Sequence, residues 1–131
     1  MKGAYVLIAR LQRPVTLMVG ALGEMRLPAG EYAYVGSAMG GLEQRIARHL
    51  RADKRPHWHI DYLLAHAPVV EVVRVPGAER AECAIARELA ARLDGVPGFG
   101  CSDCECASHL FVSADSEALR AAVAAAVAAV T

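Results

Sequence analysis

Tyr32-Ala-Tyr-Val-Gly-Ser-Ala-Met-Gly-Gly-Leu-Glu-Gln-Arg-Ile-Ala-Arg-His-Leu50 passes from a strand, through glycines, into a helix. Tyr32, Tyr34 and Val35 favour extended backbone, and Gly30 before them is a turn residue. Gly36, Gly40 and Gly41 then interrupt the strand and leave main chain uncovered by side chains. From Leu42 the period becomes helical, because Leu42, Ile46 and Leu50 recur every four residues. Arg45 and His49 have the same separation and share a face beside that apolar stripe. The segment therefore delivers a tyrosine from a strand end, and an arginine and a histidine from a helix, to one region. With the free N–H groups of a first helical turn, that combination suits an anion such as a phosphate.

Outside this segment the chain is ordinary for a soluble protein. Its 131 residues are 55% hydrophobic and 21% charged, which is enough to build one domain with a real core. No apolar run approaches the ~20 residues a membrane-spanning helix needs. The N-terminal run has no small-residue cleavage site after it, so the expected location is the cytoplasm, away from membranes. Net charge is zero, which argues against nucleic-acid binding through bulk charge. The distribution argues otherwise: Arg45, Arg48, Arg51, Lys54 and Arg55 face only Asp53, and His49, His57 and His59 add donors. A solvated helix face followed by a polar loop and a phosphate-contacting patch both fit this run. Gly36, Arg48, Lys54, Arg55, His57 and His59 are the candidate nucleic-acid contacts. His57, His59 and Asp61 also fit a supporting role behind such contacts, and the interleaved Trp58, Ile60 and Tyr62 suggest a helix packed on the core.

Taken in order, residues 3–10 read as a strand apolar on both faces, hence covered on both sides. Residues 15–19 alternate and are expected to fold back along that first strand as a hairpin. A short segment, 24–27, precedes the 32–35 strand. Pro56 opens a second helix to about residue 65. Residues 69–75 form a β-branched strand, and 78–93 a helix with Ala81, Ile85 and Leu89 inward and Glu82 beside that stripe. Residues 95–100 are turn-rich, and 109–113 form a last short strand. Asp115 and its neighbours cap a terminal helix, 116–130, with Leu119, Val123, Val127 and Val130 as its packing stripe. This order indicates an α+β fold with a mostly antiparallel sheet, formed as one domain over residues 1–131.

Gly3-Ala4-Tyr5, Tyr34-Val35-Gly36, Leu42-x-x-Arg45-Ile46-x-x-His49 and Glu82-x-x-Ile85, in that order, resemble the GIY-YIG nucleases over roughly residues 3–90. The chain looks closest to a branch that is single-domain or fused to DNA-repair enzymes, which shares the 57–62 and 101–106 segments. The resemblance implies a three-stranded antiparallel sheet flanked by helices, to which the 101–109 loop and the C-terminal helix are additions. It also implies one-metal hydrolysis of phosphodiesters in DNA or a related nucleic acid, with a DNA-repair protein as a partner. Glu82 would hold Mg2+ or Mn2+, and Arg45 would bind the scissile phosphate. Tyr5, with Tyr34 as its neighbour, would orient or deprotonate the attacking water. His49 would be an alternative proton acceptor. Two other readings remain: a nucleic-acid-binding module that keeps the fold without the reaction, and a zinc-stabilised interaction domain.

Cys101-x-x-Cys104-x-Cys106-x-x-His109 offers four ligands of zinc type at short spacing, whereas structural zinc sites usually pair ligands from two separated knuckles. A reduced thiol cluster or a Cys101–Cys104 redox pair competes with zinc there. Cys83, inside the helix beside Glu82, is expected to be merely small and buried.

Overall fold

The computed structural model describes residues 1–51, 58–77, 81–100 and 106–131. Its first strand, β1 (Gly3–Leu11), is bonded on both edges. Strand β4 (Gly30–Ala38) runs antiparallel along one edge and β5 (Val69–Pro76) along the other. The side chains of β1 alternate between two cores: Tyr5, Leu7, Ala9 and Leu11 enter one, and Ala4, Val6 and Ile8 the other. None of these seven is more than 4% exposed, as expected for a strand apolar on both faces.

The sheet is larger than the three strands implied by the resemblance. Strand β7 (Leu110–Ser113) pairs with the far edge of β4, and the two-residue β6 (Asp94–Gly95) pairs with β7. The order is β5-β1-β4-β7-β6, antiparallel throughout. The expected hairpin of residues 15–19 with the first strand does not form. Strand β2 (Val15–Met18) pairs instead with β3 (Glu24–Leu27) in a separate two-stranded sheet, across a single 3-10 turn at Gly20–Leu22. Both edges of β1 are already occupied by β4 and β5, so β2 has no ladder to join there.

Helices cover both faces. On the Tyr5 side lie α1 (Leu42–Leu50) and α2 (His59–Leu64), which bury Leu42, Ile46, Ile60 and Leu63. On the other side lie α3 (Glu82–Ala90) and α4 (Ser116–Val130), which bury Ile85, Leu89, Leu119 and Val123. Each large apolar side chain removed from water in this way contributes about 1.5–3 kcal/mol. Glycine is favoured where β4 turns into α1, since Gly41 has φ +157°, a backbone conformation that other residues rarely adopt. At α4 the Asp115 carboxylate accepts from the N–H groups of Glu117 and Ala118, the cap expected from sequence. Glu31, 4% exposed at the start of β4, ties sheet to helix: it accepts from Arg10 and from Ser116, and Arg120 lies 3.4 Å away. No helix among the described residues is long and apolar enough to cross a membrane.

Candidate functional site

The β1–β4 register places Tyr5 directly opposite Gly36. The phenol ring fills the space that a side chain at 36 would take: a Cβ there would lie 2.3 Å from both Cζ and Oη of Tyr5. Gly36 thus lets a large ring lie across the neighbouring strand. The Tyr5 hydroxyl then meets His49 Nε2 at 2.7 Å. His49 is 2% exposed on the inner face of α1, and its Nδ1 is 4.0 Å from Asp61 Oδ1. Tyr34 completes an aromatic group, its ring centroid 6.5 Å from that of Tyr5 and 6.2 Å from that of His49.

Arg45, one turn before His49, donates to the Ser37 carbonyl at 3.0 Å, and its guanidinium carbon lies 4.5 Å from the centroid of Trp58. Arg48 also packs on Trp58, at 4.3 Å, but both of its terminal nitrogens donate to the Asp61 carboxylate at 3.1 Å. Asp61 further accepts from the Trp58 backbone N–H at 3.0 Å, which fixes the start of α2. One buried carboxylate therefore locks α2 to α1, and Trp58 supports both arginines from the side.

These elements surround a cleft of about 370 Å³. Tyr5, Tyr34, Gly36, Ser37 and Arg45 line it from one part of the chain, and Trp58, Glu82, Gly100 and His109 from distant parts. Glu82 is the first residue of α3, and among the described residues it is the one carboxylate in the lining. Ser37 Oγ is buried with no hydrogen-bond partner among the described residues. Burial pushes the Tyr5 hydroxyl up to about 12, the charge and hydrogen bonding of Arg45 acting against it. Burial also raises Tyr34, with the negative charge of Glu82 among the added causes. His109 is pushed down by burial and partly restored by Glu82. Positive and negative groups thus face each other across a cavity sized for a phosphate and a few waters.

The structure brings Tyr5, Tyr34, Gly36, Arg45 and Glu82 to one cleft, with His49 directly behind Tyr5. Arg48 is engaged by Asp61 instead of facing the cleft. His59 accepts from the Gly100 backbone N–H at 2.8 Å and packs edge-on against Phe99, so it positions the loop at the cleft edge. Lys54, Arg55, His57, Cys101 and Cys104 lie outside the described residues. Sequence reasoning missed Trp58 as a platform. The signal available was an indole next to a stretch rich in arginine.

Cys83 corrects an expectation more sharply. It is half-buried instead of buried, and Cys83, Cys106 and His109 bring their ligand atoms within 4.8 Å of one another. The group can bind a metal such as zinc.

Fold and cleft together define an α+β protein whose cleft sets an arginine and two tyrosines against one carboxylate. The chain belongs to the family described as Domain of unknown function DUF123, which matches over residues 4–131. No curated protein and no solved structure matches it.

Proposed function

We propose that this chain is a metal-dependent endonuclease that hydrolyses phosphodiester bonds in DNA or a related nucleic acid, working as the GIY-YIG nucleases do. The observation that carries the proposal is the meeting of Tyr5, Arg45 and Glu82 in one cleft, although they come from a strand and two helices far apart in sequence. The cleft fits a hard divalent cation. With one carboxylate among the described lining residues, most positions are left to water and phosphate oxygens, the ligand set Mg2+ prefers. Such a cation, held by Glu82, supplies charge neutralisation at the phosphate and at the departing 3′ oxygen.

The chain's own residues do the rest. Arg45 offers planar donors to the scissile phosphate, and its bond to the Ser37 carbonyl and packing on Trp58 restrict it to few orientations. Tyr5 orients the attacking water. With a hydroxyl held near 12, it becomes an effective base only when its own proton has somewhere to go, and His49 Nε2 at 2.7 Å is that acceptor. A neutral imidazole protonated on Nδ1 accepts at Nε2, and Asp61 stabilises the imidazolium that results. The water's proton passes to Tyr5 as the Tyr5 proton passes to His49, while water oxygen attacks phosphorus and the 3′ oxygen leaves. A bound substrate also displaces water from the cleft, which strengthens these interactions.

The test is Mg2+- or Mn2+-dependent nicking of mixed DNA and RNA substrates by wild type, Arg45→Ala and Glu82→Ala. Cleavage by the wild type, lost in both variants while nucleic acid is still bound, is expected. Binding by all three with no cleavage under any divalent metal refutes the proposal.

A further inference from the structure

We propose that Cys83, Cys106 and His109 form a zinc site, a second metal centre apart from the cleft carboxylate. Two separate parts of the fold supply the ligands: the second residue of α3, and the chain leading into β7, which carries Cys106 and His109. Cys83 Sγ and His109 Nε2 are 3.9 Å apart. A tetrahedral zinc with its usual bond lengths sets a sulfur and a nitrogen about 3.6 Å apart and two sulfurs about 3.8 Å apart. Closing the group from its present span of 4.8 Å or less needs movements of about 1 Å or less, within the reach of cysteine rotamers.

The surroundings favour a metal. His109 is 3% exposed and held at its backbone on both sides, donating to the Phe99 carbonyl at 2.8 Å and accepting from Val35 N–H at 2.9 Å. Its ring is thus delivered by a rigid sheet edge. Cys83 sits in the first turn of a nine-residue helix, where the N-terminal dipole favours the thiolate. Both cysteines also line a hollow of about 880 Å³ beside α3, which gives an ion a route in. The three ligands among the described residues leave a fourth position to a further donor. Cys101 and Cys104 form no part of this assignment.

The site has a consequence for the cleft. Cys83 follows Glu82 directly, and His109 lines the cleft as well as facing Cys83. A zinc bound here fastens the start of α3 to the edge of the sheet and so fixes where the Glu82 carboxylate stands. Two thiolates balance the charge of Zn2+, so the centre adds no net positive charge beside the cleft.

The full chain, purified under reducing conditions from zinc-supplemented cultures, should carry about one zinc. Cys83→Ser and Cys106→Ser should each lose most of it, and cobalt substituted into the wild type should show a thiolate-to-metal charge-transfer band. Should either variant fail to fold, wild-type alkylation decides: zinc should shield Cys83 from the reagent and a chelator should expose it, as read by peptide mass mapping. Wild type without zinc, full zinc retained by Cys83→Ser, a Cys83–Cys106 disulfide, or Cys83 labelling indifferent to zinc each overturns the assignment. None of these readouts depends on nucleic-acid cleavage.

Discussion

Gly36→Ala inserts a single methyl group where the Tyr5 ring lies. The new Cβ would sit 2.3 Å from Cζ and Oη of Tyr5, against ordinary contact beginning near 3.4 Å. Backbone cannot yield easily, because both residues are paired in the ladder of β1 and β4. The phenol must therefore retreat by about 1 Å or more, or the two strands must part. Retreat stretches the 2.7 Å bond to His49 beyond hydrogen-bond range. Overpacking of this kind destabilises by about 1–3 kcal/mol, and a misplacement of about 1 Å in a reacting group lowers turnover on the order of 10²-fold. Urea unfolding measures the first effect and initial nicking rates under Mg2+ the second. The same substitution in a Tyr5→Leu background is the control, since the atoms that clash are then absent. There the stability loss should shrink to below about 0.5 kcal/mol, so the two substitutions couple strongly. Wild-type stability and activity in Gly36→Ala would refute the reasoning, as would an undiminished penalty in the Tyr5→Leu background.

Tyr5→Phe keeps the ring and removes the hydroxyl, and turnover should fall on the order of 10²–10⁴-fold. With the phenol held near 12, Tyr5 stays protonated through the neutral range, as the relay to His49 requires, so its ionisation should add no rise in rate there; a tenfold rise per pH unit continuing toward pH 12 would make tyrosinate the reacting form and count against the relay. Arg48→Met takes two donors from the Asp61 carboxylate, whose side chain is 1% exposed, and should cost about 3 kcal/mol by urea unfolding; Asp61→Asn should cost less, because the Arg48 guanidinium it affects is 21% exposed and reaches water. Burial works against the Glu31 carboxylate, but hydrogen bonds from Arg10 and Ser116 and the charges of Arg120 and Arg10 outweigh it and hold its pKa below the usual value. Glu31 therefore stabilises the fold fully above the unfolded pKa near ~4.3, and that contribution disappears as pH falls through the lower folded value. Thermal melts of the wild type should accordingly drop more steeply below about pH 4 than those of Glu31→Gln.

The strands and helices that reach the site were legible because they carry strong local periodicity. The apolar run of β1, covered on both faces, and the Leu42–Ile46 stripe of α1 each follow from where burial falls, although β4 continues through Gly36 to Ala38 where that glycine was expected to interrupt it. Asp115 as a cap was readable for the same reason, since capping is a contact between near neighbours. The destination of β2 was not, because pairing depends on which edges other segments have already taken, and β5 claims its edge from more than fifty residues away. Strand β6 has two residues and no pattern to read. In the site, Tyr5, Tyr34, Arg45 and Glu82 were found through the order of their motifs. Asp61 could be seen only as a polar residue near histidines, because its function arises from α1 and α2 crossing. Cys83 was misjudged because nothing in the spacing of a lone helical cysteine announces a histidine twenty-six positions later.

The double-sided bonding of β1 also bears on motion. Amides along such a strand exchange with solvent only when the sheet itself opens, so Tyr5 belongs to the slowest-exchanging part of the molecule. In the proposed reaction, adjustment to the substrate is therefore expected at the helix ends that carry Arg45 and Glu82, around a tyrosine that stays still.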